Sequence, residues 1–456
     1  MGQTKFLLNH QEDNNLLQAF QSKYVTPEQA AELAVKDGDW VDYGFGGGFP
    51  ELMDRALAAR KGKVHDVKIR GGLVIRPRIE VIEADPEQES FHYYSWHIGD
   101  YERKQQSKGL VQFLPVMLRS LPDLYRHHIR VDVAFVPVST PDADGYCSLG
   151  ISNYAWRTIF ENARTVVFEI NEHYPHLYGV DGSHRVHVSE ADYIVEGEHE
   201  PLPQRNYKAA SETDRKIAEL VAAAIPDGAV LSLGVGGVPF TVASLLAESD
   251  LKDLGCHTGT ISDAFMTLYQ AGKLTNARKE FDKGLSTWNL CMGSQALYDW
   301  LDAEPNLFHP DDLDYVHNPY RIAQMKNVIS INGGVQLDLL GQENGETAGT
   351  RQLSGIGGQM DFLEGAYRSE GGKGFICINS SRLTKEGERK SNIVPFIPAG
   401  STVSAPRTMI QYVATEYGIV KLSGLSVRER AEAMISVAHP DFREELLAYA
   451  QKNLGV

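Results

Sequence analysis

The chain has 456 residues and a formal net charge of −16, and 42% of its residues are hydrophobic. This length predicts at least two domains, each large enough to fold without disulfides or metal ions. The acidic balance argues against a nucleic-acid-binding protein, because phosphate binding relies on clustered lysine and arginine side chains.

The four cysteines, Cys147, Cys256, Cys291 and Cys377, are widely spaced and form no C-x-x-C motif. This spacing predicts neither a disulfide framework nor a zinc ribbon, and it favours a reduced, cytoplasmic protein. The histidines match no recognised metal-site spacing, so no bound metal is expected. Residues 1–15 hold no apolar segment of signal-peptide length, and no window predicts a transmembrane helix.

An internal repeat organises the chain. Residues 31–47 and 218–237 both run from a helical Ala-Glu-Leu segment through Asp-Gly and a short apolar stretch to Gly-x-Gly-Gly. Such self-similarity indicates two related halves. The polar, proline-containing segment 196–207 predicts a linker. We therefore predict an N-terminal domain at residues 1–200 and a C-terminal domain at residues 201–456.

Both halves alternate short apolar runs with amphipathic stretches of helical length. The predicted strands are 133–138, 165–170, 229–233, 328–331 and 374–378, and the predicted helices include 211–224 and 427–437. This alternation is typical of parallel sheets covered by helices. The predicted fold class is α/β, with two tandem, similar open domains.

Four glycine-rich turns are the first candidates for a site. Turns 44–48 and 234–239 each follow a predicted strand and precede a helical pattern. In that context bare backbone amides and a helix N-terminus meet an anion, typically a phosphate. Turns 354–362 and 371–374 are the other two. None of them matches a complete nucleotide-binding motif, so the residues alone leave open that these glycines only make tight turns.

Seven segments together resemble the family I coenzyme A transferases, in particular the acetyl-CoA hydrolase/transferase branch. They are PDADGYCSLGISN (141–153), GVGGVP (234–239), LGCHTGTISD (254–263), LCMGSQALYDW (290–300), SINGGVQLDLLGQ (330–342), SGIGGQMDF (354–362) and AHPDFREELLAYA (438–450). The resemblance covers nearly the whole chain. It implies two tandem α/β domains, in agreement with the repeat.

The resemblance also implies an activity. It predicts transfer of coenzyme A between a short-chain acyl-CoA (butyryl-, 4-hydroxybutyryl- or acetyl-CoA) and a carboxylate such as acetate. In the family a glutamate attacks the thioester and then carries CoA as an enzyme-bound thioester. No cofactor is expected to be bound permanently, since acyl-CoA is the substrate. A homo-oligomer that contacts neither nucleic acid nor membrane is the expected form.

Site residues follow from the same resemblance. The residues predicted to hold CoA are Gly234, Val235, Gly236, Gly237 and Val238. Asn332 and Gly334 are predicted to line the pantetheine or acyl channel, and Lys373 is predicted to meet a CoA phosphate. Gly357 and Gly358 are predicted to lie beside the thioester, where one of their amides stabilises the oxyanion.

Position 259 departs from the family pattern. The nucleophilic glutamate of the family follows His-Thr, whereas here Gly259 follows Thr258 and has no side chain to attack a thioester. Asp263 and Glu51 are alternative carboxylates. Two further alternatives are weak acyl-CoA hydrolysis by water and binding of acyl-CoA without turnover. If residue 259 lies at the reacting carbon, the change Gly259→Glu is predicted to create or increase transfer, whether the glycine is natural or engineered.

Overall fold

The computed structural model describes residues 20–205 and 209–456, and the prediction for residues 1–15 lies outside them. The described chain divides into two compact units. The first contains Leu121–Gln204, Tyr298–Asp312 and the described residues before Pro115. The second contains Pro115–Ser120, Leu313–Val456 and the described residues from Arg205 to Leu297.

The segment Tyr298–Asp312 lies in the first unit and Pro115–Ser120 lies in the second, so the compact units do not follow a single division near residue 200. Within the first unit the backbone N–H of His176 donates to the Asp302 carboxylate at 2.8 Å. The backbone N–H of Val180 donates to Nδ1 of His309 at 3.0 Å. These contacts join chain segments more than a hundred residues apart, so no local pattern could reveal them.

The first unit is built around a parallel sheet. Its strands are β1 (Trp40–Asp42), β2 (Val67–Gly71), β3 (Phe91–Ser95), β4 (Val111–Phe113), β5 (Val133–Val138), β6 (Thr165–Ile170) and β7 (Tyr193–Glu196). Their spatial order is β4-β3-β2-β1-β5-β6-β7. The helices of this unit are α1 (Pro27–Ala34), α2 (Glu51–Ala58), α3 (Glu80–Ala84), α4 (Asp100–Gln106), α5 (Leu121–His127) and α6 (Trp156–Asn162).

The strand β5 shows why this sheet is parallel and central. All six of its residues are buried, so both faces of the strand are covered. A continuous apolar run of this kind is typical of parallel sheets with helices on both sides. The core of the first unit includes Val133, Phe135 and Val167, none of which is exposed.

The second unit repeats this plan. Its strands are β8 (Val230–Leu233), β9 (Gly255–Ile261), β10 (Ser286–Cys291), β11 (Val328–Gly333), β12 (Lys373–Cys377), β13 (Tyr412–Thr415) and β14 (Gly418–Lys421). They run in the order β10-β9-β8-β11-β12-β13-β14, with only the last of these pairs antiparallel. Both sheets start from an inner strand, β1 or β8, and add later strands first on one side and then on the other, which confirms the two similar α/β halves predicted from the sequence repeat.

Further helices and short strands complete the chain. The helices are α7 (Glu212–Ala222), α8 (Gly237–Glu248), α9 (Asp263–Gln270), α10 (Gln295–Ala303), α11 (Leu313–Val316), α12 (Pro319–Ile322), α13 (Gln359–Arg368), α14 (Val427–Ser436) and α15 (Pro440–Asn453). Short strands lie at Tyr146–Ser148, Arg185–His187, Phe308–Pro310, Gln336–Asp338, Glu343–Asn344, Thr347–Ala348, Arg351–Gln352, Ser381–Leu383, Arg389–Ser391 and Ile393–Val394.

The predicted helices and strands are confirmed, and capping residues set several of their starts. Helix α7 begins after Ser211, whose side chain accepts from the backbone N–H of Asp214 in a capping box. Helix α14 begins after Ser426 in the same way. Because a capping side chain satisfies an orphan backbone N–H of the first turn, such serines fix helix starts from local sequence.

The winding of the second sheet reverses between β8 and β11. From β8 the chain first adds β9 and β10 on one side, and it then returns to add β11, β12 and β13 on the other. In open α/β sheets, ligands bind outside the carboxyl ends of the strands at such a reversal. The loop 234–238 follows β8, and Asn332 lies near the end of β11. The fold therefore indicates these two chain segments as the candidate ligand-binding site.

Candidate active site

The glycine loop 234–238 lies between β8 and the helix α8. The backbone N–H of Gly234 donates to the carbonyl of Ile331 at 2.9 Å, which places the loop beside Asn332. Gly236 has a φ of +146°, a conformation that glycine adopts without steric strain. No side chain caps the N-terminus of α8, so its first amides can meet an anion. The structure thus brings together the predicted CoA loop and the predicted acyl-channel residue Asn332.

Lys373 is not brought to this edge of the sheet. It pairs with Ile329 at the amino end of β12, whereas Cys377 at the carboxyl end pairs with Gly333. At about 3.3 Å per residue, Lys373 lies about 13 Å from the carboxyl edge. Its Nζ donates to the carbonyl of Ala224, just beyond α7, at 2.6 Å. This position favours a structural role for Lys373 over the predicted contact with a CoA phosphate.

We expect Lys373→Met to lower the free energy of unfolding by about 1–2 kcal/mol, because a hydrogen bond at a helix C-terminus is lost. CoA affinity should stay at the wild-type value. Urea denaturation and calorimetric titration with CoA measure the two effects. Lys385→Met, which removes an exposed lysine of the same unit, is the control and should change neither quantity. If Lys373→Met weakened CoA binding and Lys385→Met did not, the predicted contact between Lys373 and a CoA phosphate would be supported.

The space around Gly259 is filled by a histidine. Gly259 lies in β9, between the paired residues Thr258–Trp288 and Thr260–Leu290. A Cβ atom at position 259 would lie 2.9 Å from Nε2 of His317, closer than van der Waals contact allows. The imidazole of His317 therefore occupies the space that a side chain at position 259 would need.

Gly358 borders the other side of the same imidazole. A Cβ atom at position 358 would lie 2.2 Å from Cε1 of His317. Glycine is thus required at position 358, and the ring of His317 packs between the backbones of Gly259 and Gly358. These are two of the three glycines that the resemblance assigns to the reacting centre, and the structure brings them together around His317.

Buried polar partners hold His317 in this position. Nδ1–H of His317 donates to the Asp361 carboxylate at 2.9 Å, and Nε2 lies 3.0 Å from the Asn289 side-chain amide. Nε of Arg119 lies 3.4 Å from the other carboxylate oxygen of Asp361. The neighbouring segment is tied to β9, because Nε2–H of His257 donates to the carbonyl of Val316 at 2.9 Å. Burial lowers the pKa of His257 to about 3, which keeps its ring neutral.

Glu343 is a second buried polar group in this region. Its side chain is fully buried, and its Oε2 accepts from Nε2 of Gln359 at 3.1 Å. Its Oε1 has no hydrogen-bond partner. Cβ atoms at positions 334 and 345 would lie 3.1 and 2.5 Å from Oε1, so glycines at both positions make room for the carboxyl group. Burial raises the pKa of Glu343 to about 8.

The raised pKa of Glu343 makes its contribution to stability depend on pH. The folded carboxyl group has a pKa of about 8 against an ordinary value of 4.5, so the folded protein holds a proton that the unfolded chain releases. The stability associated with this proton is fully present below pH 4.5, and it is lost progressively as the pH rises from 4.5 through 8.

We therefore expect Glu343→Gln to gain stability relative to the wild type as the pH rises. The two proteins should have similar free energies of unfolding near pH 4.5, and the variant should lead by a difference on the order of 3 kcal/mol at pH 7. Urea denaturation of both proteins at several pH values checks this, and other titrating groups cancel in the difference. If the difference in free energy of unfolding between the two proteins stayed constant with pH, Glu343 would be ionised in the folded protein.

The two alternative carboxylates named from the sequence have other partners. Asp263 begins helix α9, and its carboxylate accepts from the backbone N–H of Ser294 at 3.1 Å and from the Ser294 hydroxyl. It therefore ties the start of α9 to the turn after β10. Glu51 belongs to the first unit, where it forms an ion pair with Arg76 beside a pocket that Glu169 also lines.

His317 and Glu343 are the polar residues that sequence reasoning missed. His317 stands in a Val-His-Asn-Pro helix start, and Glu343 stands in a Gln-Glu-Asn-Gly-Glu stretch that is typical of a turn. No local pattern separates a buried histidine or glutamate from an exposed one. The one available signal was glycine at positions 345 and 358, where the structure shows that a side chain would collide with these two groups.

Within residues 20–205 and 209–456, no three histidine, cysteine, aspartate or glutamate side chains are grouped in a way that would hold a metal ion. The same residues contain no helix with the length and apolar character needed to span a membrane. All four cysteines are buried free thiols.

Comparison with protein families matches both parts of the chain. The acetyl-CoA hydrolase/transferase N-terminal domain matches residues 8–204. The acetyl-CoA hydrolase/transferase C-terminal domain matches residues 293–450.

Individual proteins are similar over most of the length. The butyryl-CoA:acetate CoA-transferase of Anaerostipes caccae is 40% identical, covering 95% of this chain and 97% of the relative. The 4-hydroxybutyrate coenzyme A transferase of Clostridium kluyveri is 38% identical, covering 79% of this chain and 82% of the relative. The crystal structure of RipA from Yersinia pestis has a TM-score of 0.88 at 33% identity, covering 97% of this chain and 100% of that chain.

Proposed function

Because the chain belongs to the acetyl-CoA hydrolase/transferase family, a family of CoA-transferases, we propose that it moves coenzyme A between a short-chain acyl-CoA and a carboxylate such as acetate. Butyryl-, 4-hydroxybutyryl- and acetyl-CoA are the proposed donors, by analogy with the named activities of the relatives. The proposal includes a cytoplasmic homo-oligomer that serves butyrate and other short-chain fatty acid metabolism.

One observation supports this proposal most strongly. The loop 234–238 and Asn332 meet at the carboxyl edge of the second sheet, through the hydrogen bond from Gly234 to Ile331. Free backbone amides at a helix N-terminus suit the phosphates of CoA. Binding energy from the long CoA chain, remote from the reacting carbon, is then available to position the thioester.

Position 259 favours a second candidate function. Gly259 supplies no carboxylate, and the space beside it is filled by His317. A protein in which no other group takes over the attack would bind acyl-CoA without transfer, or would hydrolyse it slowly with water. The two candidates differ in the fate of the acyl group, which a labelled acceptor reveals.

The test is incubation of the protein with butyryl-CoA and isotopically labelled acetate. Labelled acetyl-CoA supports CoA transfer, and a parallel incubation without acetate measures hydrolysis alone. Thiol release at the same rate with and without acetate, and with no labelled acetyl-CoA, would support a hydrolase. CoA binding in calorimetry with neither product would support an acyl-CoA-binding protein.

A further inference from the structure

A buried carboxylate lies between two groups of residues that were predicted to form the site. Oε1 of Glu343 faces Gly334, where a Cβ atom would come within 3.1 Å of it. Oε2 of Glu343 accepts from Gln359, the residue directly after Gly358. Glu343 therefore connects the predicted acyl channel with the predicted oxyanion turn. Both groups lie in the second unit, together with Gly259.

We propose that Glu343 is the nucleophile of this chain and takes the role that position 259 cannot fill. The inference rests on the proposed CoA transfer and adds the residue that carries the acyl group and CoA. Glu343 combines three properties that such a residue needs: a carboxylate, an oxygen without a hydrogen-bond partner, and a place beside the glycine turn. Asp263 lacks the second property, because its carboxylate accepts from Ser294.

The carboxyl group of Glu343 is buried beneath residues that are themselves only half-buried. Its carboxyl group is covered by Gln359 and by the glycines at positions 334 and 345, all of which are half-buried, and Gly333 next to them is exposed. The glycines at positions 334 and 345 lie directly against Oε1, so a thioester can reach the carboxyl group only once the Gln359 side chain rotates away from Oε2.

The reaction then proceeds by exchange of bonds at two carbonyl carbons. An oxygen of ionised Glu343 attacks the acyl carbon, the carbon–sulfur bond breaks, and CoA leaves as a thiolate with the electron pair. The thiolate attacks the glutamyl carbon of the resulting anhydride, and the original acyl group departs as a carboxylate. Acetate reverses these two steps on the Glu343–CoA thioester. No proton, oxidant or reductant is consumed.

Transfer through Glu343 should depend on pH, because only the ionised carboxyl group attacks. Burial raises the pKa of Glu343 to about 8, and the nearby carboxylate of Glu346 raises it further, while Gln359 acts in the opposite direction. We expect the transfer rate to rise between pH 6.5 and 8.5 as Glu343 loses its proton. Such a high pKa also makes the ionised carboxylate a strong nucleophile.

Borohydride trapping on the wild-type protein is the direct test. The full-length protein is mixed with butyryl-CoA, treated with sodium borohydride, digested and analysed by mass spectrometry. Borohydride reduces a glutamyl thioester to a primary alcohol, so the expected result is a reduced side chain at position 343 alone. A reduced side chain at Asp263, Glu51 or any other residue overturns the proposal. So does transfer of CoA with no reduced residue.

Matched glutamine variants give the second test. Glu343→Gln is expected to lower labelled acetyl-CoA formation by at least about 1,000-fold. Its folding can be checked independently, because it is expected to be more stable than the wild type at neutral pH. Glu346→Gln, three residues away, is the control. It should keep transfer and move the pH profile to lower pH, since it removes a like charge next to Glu343.

The outcomes separate this inference from the proposed function. Wild-type transfer that survives in Glu343→Gln overturns the role of Glu343 and leaves CoA transfer intact. A wild-type protein that makes no labelled acetyl-CoA overturns the proposed function, and the role of Glu343 with it.

Discussion

Gly259→Glu alone is expected to destabilise the protein by about 1–3 kcal/mol, and the introduced glutamate is not expected to form a thioester with CoA. The sequence predicts the opposite result, a gain of transfer. The structure changes that expectation because the new Cβ atom would lie 2.9 Å from the His317 ring. His317 cannot easily move aside, since Asp361 and Asn289 hold its two nitrogens and Gly358 supports its other edge.

Adding His317→Asn should relieve this clash. Asparagine is shorter than histidine and retains an amide donor for the Asp361 carboxylate. In a double-mutant cycle, we expect the loss of unfolding free energy in the double variant to be about 1–2 kcal/mol smaller than the sum of the losses in the two single variants. Urea denaturation of the wild type, both single variants and the double variant measures the coupling. Additive effects would show that His317 does not restrict position 259.

The double variant also has a functional outcome. Once the space is free, the glutamate introduced by Gly259→Glu should carry CoA, and borohydride trapping should find a reduced side chain at position 259. In that background, Glu343→Gln should no longer abolish transfer. If trapping finds position 259 unmodified in a stable double variant, residue 259 does not lie at the reacting carbon, and the implication of the family resemblance fails for this chain.

Much of the fold follows from local sequence. Strand β5 is six buried residues in a row, and Ser211 and Ser426 cap their helices through side chains that a sequence pattern identifies. The repeat of Asp-Gly and Gly-x-Gly-Gly indicated that both halves share one winding. Parallel strands and right-handed crossovers then allow few arrangements, so the loop 234–238 could be expected at a carboxyl edge.

The interior of the candidate site could not be predicted in the same way. His317 and Glu343 are placed by tertiary packing against glycines that are distant in sequence, and a sequence pattern carries no distance between such residues. Lys373 shows the reverse case. A lysine in a glycine turn suggests phosphate binding, but the register of β12 places it at the amino edge, where it holds the end of α7.

The net charge of −16 does not prevent an anionic ligand from binding at the backbone amides of the loop 234–238. Backbone amides of the loop 234–238 act at short range, whereas exposed carboxylates beyond about 8 Å are screened by salt. Because Lys373 donates to the carbonyl of Ala224, we expect the proposed CoA site at this edge to rely mainly on backbone amides. The affinity should therefore depend on loop geometry more than on any single lysine.

The second large effect concerns Asp361, the buried partner of His317. We expect Asp361→Ala to lower the free energy of unfolding by about 2–4 kcal/mol. The carboxylate is fully buried at the start of α13, where a negative charge also stabilises the helix N-terminus. Its removal leaves Nδ1–H of His317 without an acceptor and deprives Arg119 of one of its two carboxylates.

Glu364→Ala is the matched control for Asp361→Ala. Glu364 lies on the same helix, about one turn further, and pairs with Arg119 at 2.6 Å and with Arg368 at 3.2 Å. It does not contact the His317 ring, and its ion pairs are partly exposed, so its removal should cost about 1 kcal/mol or less. Urea denaturation of the two variants compares the costs. Equal losses would show that Asp361 acts only through Arg119, and that the hydrogen bond to His317 does not hold the ring between Gly259 and Gly358.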